Sequence, residues 1–399
     1  MEFQYDMGYD FKGNSYVSVW LPLTTRADCY VQIDAKASKP RLFLMVVEDI
    51  WHTALECLPA GFEQAFEIVE YQTVDQVAQQ LAMGSSAIIN ETNELSAPAE
   101  HHNPQAVIDQ IDYQRLGKTQ YEQACVREAN HRAVPAHRAA QQAFLAGASE
   151  VQIAAAYLTA CDSRESEMPY GMIVGVNEHA AVLHHHNLFK QPQTPRSFLI
   201  DAGVEFNGYA SDITRTYAYD AGGDFAAMIE HMNVKQLELC TEGSIGRNPV
   251  DIHALSQRMI AEVLIEFGVL RLSLEEAVAK DIASYFYPHG LGHHLGANVH
   301  DKGGQMSNAQ GDRVPPPEKY PNLRTTVPMV ANQIHTVEPG LYFIPAYLDK
   351  LKTGGYARCI NWRVVEDYMP YGGIRIEDNI IVHPDNRLEN LTRDAFAVK

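Results

Sequence analysis

The sequence predicts an α+β protein of two domains, a small α/β domain followed by a larger domain whose helices come early and whose strands come late. Three observations predict this. The chain has 399 residues, 46% of them hydrophobic, and single cores stop growing near ~250–300 residues, so two cores are expected. Up to residue 113, short apolar runs of strand length alternate with helical stretches. Beyond it, two capping-box sequences open long helical patterns, and the later segments alternate with the period of a strand.

In the first domain, residues 1–113, the strand candidates are Cys29–Ile33, Arg41–Val47 and Ser86–Asn90, and Asp75–Ala82 is helical. The boundary falls near residue 114, opening a second domain over 114–399. There Thr119-x-x-Glu122 has capping-box form ahead of an Ala-rich helix running toward Ala146, and Gly147 stops it. Ser149-x-x-Gln152 repeats the box and starts a helix from Glu150 to about Cys161. Further helices are expected around Asp224–Thr241 and Val250–Phe267. Asp301–Val327, with Pro315-Pro316-Pro317, is too long for an ordinary connection and reads as a functional segment or a lid. No internal repeat is visible.

The formal net charge of −19 disfavours nucleic acid and anionic membrane as partners, because both need clustered Lys and Arg. Six cysteines without a Cys-x-x-Cys spacing read as free thiols in a reducing compartment. The opening Met1-Glu2-Phe3-Gln4-Tyr5-Asp6 lacks the basic and apolar stretches of a secretory signal. No apolar run reaches the ~18 residues of a membrane span. A cytoplasmic enzyme is the expectation.

Four segments carry chemistry. In Leu199–Thr216, Asn207-Gly208 sits between two strand patterns and signals a two-residue hairpin loop, in which both residues take positive φ. Such a loop sets Thr214 across from Asp201 and Asp212 across from Gly203, so both aspartates share one face at a diagonal of roughly 7–8 Å. The plainer reading is a surface hairpin with solvated aspartates. The second segment, Pro288-His289-Gly290-Leu291-Gly292-His293-His294-Leu295-Gly296 with His300-Asp301 after it, has too many glycines for a helix and implies an extended or irregular backbone in close approach to something. On a strand, His289 and His293 would point the same way, one to ligate and one to meet substrate. The third and fourth, His335-Thr336-Val337-Glu338-Pro339-Gly340 and Gly373-Ile374-Arg375-Ile376-Glu377-Asp378-Asn379, each end a short strand on a carboxylate. Alternation puts Arg375 and Glu377 on one face, where Arg375 could pin Glu377. Either glutamate alone would more often be a solvated residue.

Together, Asp201, Asp212, Glu338, Glu377 and His293 form an oxygen-rich donor set suited to Mn²⁺ and tolerant of Co²⁺, Fe²⁺ or Zn²⁺. Two divalent ions ~3.5–4 Å apart can share a hydroxide and stabilise charge on both the attacking and the carbonyl oxygen, which is hydrolytic chemistry.

The order of these motifs, with eleven residues from Asp201 to Asp212, then His-Gly-x-Gly-His, Val-Glu-Pro-Gly and Gly-Ile-Arg-Ile-Glu-Asp-Asn, resembles the pita-bread metallopeptidases: methionine aminopeptidase, aminopeptidase P, prolidase and creatinase. The likeness covers the chain from about residue 114. Asn322-Leu323-Arg324-Thr325 and Asn361-Trp362 look most like bacterial prolidases and their organophosphorus acid anhydrolase relatives. The resemblance implies a pita-bread catalytic domain behind a shortened creatinase-type N-terminal domain. It implies two metal ions, with Asp201 and Asp212 on one, Asp212, His293, Glu338 and Glu377 on the other, and Asp212 and Glu377 bridging. By the same resemblance Glu338 is the proton shuttle of a metal-bridging hydroxide, His300 stabilises the tetrahedral oxygen, and His289 lies nearby. Tyr170 falls at an active-site tyrosine, and His184 and Arg324 meet the carboxylate of a proline-containing dipeptide. Arg375 joins the substrate side as a partner of the ligand carboxylates.

His185 stands where relatives often have Tyr, and His335 where an apolar residue is usual. The implied activity is Xaa-Pro dipeptide hydrolysis by a homodimer. The alternatives are an aminopeptidase P acting on longer peptides, or a non-catalytic peptide-binding module, and organophosphate hydrolysis is a conceivable side activity.

Overall fold

A computed structural model describes residues 11–23, 26–46, 58–81, 87–90, 95 and 102–398, and the chain divides into two compact units, Met1–Ile111 and Asp112–Lys399. In the first unit, strands Cys29–Gln32 (β1), Arg41–Met45 (β2) and Glu67–Tyr71 (β3) form a three-stranded sheet with β2 in the middle. β1 runs antiparallel to β2, and β3 parallel to it. The alternation of β2 serves both faces. Phe43 packs with Tyr71 and with Val77 of helix Val74–Leu81 (α1), while Leu42 and Leu44 pack with Leu21 on the other side.

One expectation needs correction in this unit, and one strand went unforeseen. Of Ser86–Asn90, Ser86 lies outside the described residues, and the rest carries only one bridge, Ile88 to His102. The third strand is Glu67–Tyr71, whose apolar residues send Ile68 to one core and Val69 to the other. Adjacent apolar positions of that kind hide the period of two.

The second unit opens as its caps dictate. Helix Gln120–Leu145 (α2) starts on a Thr119/Glu122 capping box, and helix Glu150–Ala160 (α3) on a Ser149/Gln152 box. Ala133, Ala136, Ala140 and Phe144 make one stripe of α2. With Ile153 and Tyr157 of α3 they bury against Val174, Val176, Phe198 and Ile200. Those four lie on Ile173–Val176 (β4) and Ser197–Asp201 (β5), which with the later Thr214–Ala218 (β8) form an antiparallel sheet in the order β4-β5-β8. Between β5 and β8 lies the hairpin Glu205–Phe206 (β6) and Tyr209–Ala210 (β7). Asn207 and Gly208 turn it with φ of 51° and 84°, as the two-residue loop requires.

Helices Asp224–Cys240 (α4) and Pro249–Glu266 (α5) bury Phe225, Met228, Met232, Ile260 and Leu264 against Leu341, Phe343, Ile374 and Ile376. The remaining strands are Gln333–Val337 (β9), Gly340–Tyr342 (β10), Gly373–Arg375 (β11), Asp378–Val382 (β12) and Leu388–Asn390 (β13). β12 lies between β13 and β9, and β10 pairs with β11. Residues 301–327 hold neither helix nor strand, as expected of that insertion. No helix among the described residues is long and apolar enough to cross a membrane. Cys29, Cys125, Cys161, Cys240 and Cys359 are free thiols, and Cys57 lies outside the described residues.

An ion triad ties these layers together. Asp378, fully buried at the start of β12, accepts from Arg215 at 2.7 Å, from Arg393 at 2.7 Å and from Asn390 at 2.8 Å. Burial alone would raise its carboxyl, but Arg215 and Arg393 hold it down at about 2. Asp378→Asn strands two guanidinium groups, and the expected cost is about 3 kcal/mol in denaturant unfolding of chelator-treated protein. Because the folded pKa lies below the unfolded one, this stability is full above about pH 4 and disappears as pH falls toward 2. An unchanged unfolding midpoint in the variant would contradict this account.

Candidate metal centre

The hairpin register runs unbroken from its tip into the site. Ser211 N–H donates to Val204 O, Ala202 N–H to Ile213 O, and Asp201 pairs with Thr214. A Cβ on Gly203 would collide with the Ser211 carbonyl oxygen, so only glycine allows Asp212 its place opposite. Asp201 and Asp212 are joined by Tyr170, whose hydroxyl lies 2.8 Å from Asp201 Oδ1 and 2.5 Å from Asp212 Oδ1. One hydroxyl proton serves only one of the two carboxylates at a time.

His289–Gly296 is not a strand, which corrects the strand option, but it does run along the edge of β9. Leu295 N–H donates to Ile334 O, Thr336 N–H to His293 O, and Glu338 N–H to Leu291 O. A Cβ on Gly292 would strike the Thr336 carbonyl oxygen, the close approach that the glycines imply. This lays His293 beside Glu338, with Nε2 3.7 Å from Glu338 Oε1 and 3.3 Å from Asp212 Oδ2. His293 Nδ1 donates to the His294 carbonyl at 2.9 Å, which leaves Nε2 to face the carboxylates.

β9 pairs with β12 through Val337 and Asp378, and β10 with β11 through Gly340 and Arg375. Both pairings share one register, which sets Glu338 directly across from Glu377. Thr214, bridged to Glu377, donates its hydroxyl to Glu377 Oε2 at 2.6 Å. Arg375 does not pin Glu377. Its guanidinium, fully buried, donates to Asp201 Oδ2 at 2.8 Å, Tyr342 Oη at 2.9 Å and Thr214 Oγ1 at 3.2 Å. Alternation predicts the face of Arg375 but not its partner, because β5 brings Asp201 closer than the neighbour on the same strand.

Burial and mutual repulsion dominate the electrostatics of the cluster. Burial, and then Asp212, push the Glu377 carboxyl well above its ordinary range. Burial raises Glu338 to about 7 and also raises Asp212, with Asp201 adding to the latter. Burial works against a charged His293, yet Asp212 and Glu338 hold it above its usual value. Carboxylates that are costly to ionise side by side call for a nearby multivalent cation. Asp212, His293 and Glu377 each offer a ligand atom within 4.8 Å of the others. The donor set therefore fits divalent metal.

The cluster opens into a cavity of about 950 Å³, whose walls include Tyr170, His184, His289, His300, Arg324, Glu338 and Arg375. His300 meets the His293 ring edge-on at 4.4 Å. His184 and Arg324 are exposed to the cavity. His289 spends both ring nitrogens within the protein, on Gly290 O at 2.9 Å and Tyr342 Oη at 2.8 Å. His335 is buried beside a smaller hollow behind His293, lined by Leu239, Met329 and Val337, so its ring lies away from the main cavity.

Sequence reasoning missed three supports of the site. Thr214 holds Glu377, and the hairpin register that sets it across from Asp201 is the signal that would have found it. Asn379 cradles the Asp212 backbone from both sides, accepting at 3.1 Å and donating at 2.6 Å. Lys118 and Arg115 grip Asp301, the neighbour of His300.

A sequence model described as Metallopeptidase family M24 matches residues 124–384, and one described as Xaa-Pro dipeptidase, N-terminal domain, matches residues 1–113. The chain is 42% identical over 398 residues to the Xaa-Pro dipeptidase of Pseudoalteromonas translucida (strain TAC 125), spanning 98% of this chain and 90% of that one. It is 44% identical, with the same coverage, to the Xaa-Pro dipeptidase of Pseudoalteromonas haloplanktis. Among solved structures, Escherichia coli aminopeptidase P in its low-pH form matches with a TM-score of 0.75 at 22% identity, over 98% of this chain and 88% of that chain. The zinc-substituted form of that enzyme with product matches with a TM-score of 0.72 at 21% identity, at the same coverage. These two speak to the fold alone, and the fold is the pita-bread one.

Adding Mn²⁺ to chelator-treated protein is expected to raise its stability by about 2.7 kcal/mol for each ion bound when free metal reaches one hundred times its dissociation constant. Thermal melting with and without metal checks this. Asp212→Asn should lose most of the shift, and a full shift in that variant would remove Asp212 from the ligand set.

Proposed function

This chain belongs to metallopeptidase family M24, and on that premise we propose that it is a dinuclear metal-dependent Xaa-Pro dipeptidase. The reading takes residues 114–399 as the catalytic domain and 1–113 as the N-terminal domain. The observation that carries it is that a single cavity is lined both by the carboxylate cluster and by the exposed His184 and Arg324. A free dipeptide carboxylate is what a guanidinium and an imidazole so placed would hold. The near-full-length relatives named Xaa-Pro dipeptidase support the same substrate class.

In this reading Asp201 and Asp212 would hold one ion, and Asp212, His293, Glu338 and Glu377 the other. When bound, two divalent ions supply Lewis acidity that polarises the scissile carbonyl and lowers the pKa of water. Glu338 faces the open cavity, takes a proton from the attacking water and returns it to the departing proline nitrogen. His300 donates to the carbonyl oxygen as it gains charge. Tyr170 ties Oδ1 of Asp201 to Oδ1 of Asp212, and Arg375 fixes Oδ2 of Asp201. His289, neutral with Nδ1 protonated because Gly290 O can only accept, forms a wall of the cavity beside Glu338.

The carboxylate-rich donors favour Mn²⁺ over softer-ligand metals. The free thiols support a reducing, cytoplasmic setting. Homodimerisation is carried over from the family resemblance. Aminopeptidase P activity is the competing reading, and organophosphate hydrolysis at the same ions a side reaction.

The test is hydrolysis of Ala-Pro and Ala-Pro-Ala by metal-reconstituted protein. Ala-Pro should be cleaved and Ala-Pro-Ala spared, with activity lost on chelation, restored by Mn²⁺ and abolished by Asp212→Asn. Arg324→Ala should raise KM for Ala-Pro by about tenfold or more, the loss of a charged hydrogen bond. Full activity in metal-free protein, or preference for the tripeptide, rejects the proposal.

A further inference from the structure

The segment that carries His184 is fastened by one carboxylate that belongs to neither the metal cluster nor the cavity. Glu150, the first residue of α3, is buried and accepts four hydrogen bonds. Oε1 takes the Val176 N–H at 2.9 Å and His179 Nδ1 at 2.7 Å. Oε2 takes the Phe189 N–H at 2.8 Å and His185 Nε2 at 2.9 Å. With every lone pair committed, both tautomers follow: His179 carries a proton on Nδ1 and His185 on Nε2. The two rings stack at 4.5 Å.

The four donors bracket residues 176–189. Within that span the side chains sort by depth, His185 buried toward Glu150 while Leu183, His184 and His186 line the cavity. We propose that Glu150 and His185 are positioning residues for substrate recognition, a clamp that holds His184 and His186 where a dipeptide carboxylate binds. The proposal rests on the reading of His184 as a carboxylate-binding residue.

Glu150, His179 and His185 also offer three ligand atoms within 4.8 Å. A cation there would have to displace both imidazole protons from a carboxylate at a helix N-terminus, where the helix dipole disfavours positive charge. In the clamp, both oxygens of the Glu150 carboxylate each accept two hydrogen bonds.

Three variants test it: Glu150→Gln, whose amide can accept at only one oxygen, His185→Phe, which removes one donor, and His185→Tyr, whose phenol restores one. In metal-reconstituted enzyme, Glu150→Gln and His185→Phe should raise KM for Ala-Pro about tenfold with kcat changed by less than about twofold, and His185→Tyr should keep KM near that of the parent. Amide hydrogen exchange should quicken over residues 177–189 in the first two variants and stay unchanged over residues 333–337. This second readout needs no substrate, so it judges the clamp even if the parent protein does not cleave Ala-Pro. Unchanged exchange, or quicker exchange with unchanged KM, overturns the proposal. So does the loss of one equivalent of bound metal in Glu150→Gln, which would make the cluster a cation site.

Discussion

Glu338 and Glu377 stand directly across from each other at the junction of two strand pairs, with Asp212 reaching in from a third element. Like charges in that relation are destabilising in any sheet, and more so where water is excluded. The fold does not relieve the repulsion by spreading the carboxylates apart. It braces three of them: Tyr170 joins the two aspartates, Arg375 holds Asp201, Thr214 holds Glu377 and Asn379 holds the Asp212 backbone.

Two adjacent residues, Glu377 in its bridge to Thr214 and Asp378 at the start of β12, show how finely the environment is divided. Glu377 faces other carboxylates and is driven toward the neutral form, whereas Asp378, on the opposite face, meets Arg215 and Arg393 and stays charged. The alternation of a strand is what lets two acids a single residue apart serve opposite ends. One remains a structural anion, and the other is kept in want of a cation.

Local signals in the sequence were reliable where the physics is local. The Asn207-Gly208 turn, the capping boxes at Thr119 and Ser149 and the glycines beside His293 each read correctly, because turn angles, cap hydrogen bonds and the absence of a Cβ are decided within a few residues. Partners at long range were not legible. Arg375 showed its face but not that Asp201, from another strand, would take its charge. Glu150 looked like an ordinary acidic residue in the first turn of a helix, and its four donors lie 26 to 39 residues further along the chain. The strand Glu67–Tyr71 stayed hidden because both its faces are apolar.

The unbroken register from Asp201 to Asp212 also limits how this stretch of chain can change over time. A single residue gained or lost between the tip and either aspartate would slip that arm by one against the other and turn the aspartate beyond it to the opposite face, out of the cluster. Only paired insertions that lengthen both arms, or changes confined to the two residues at the tip, leave the aspartates together. The spacing is therefore a fixed gauge, free to vary in residue identity but hardly at all in length.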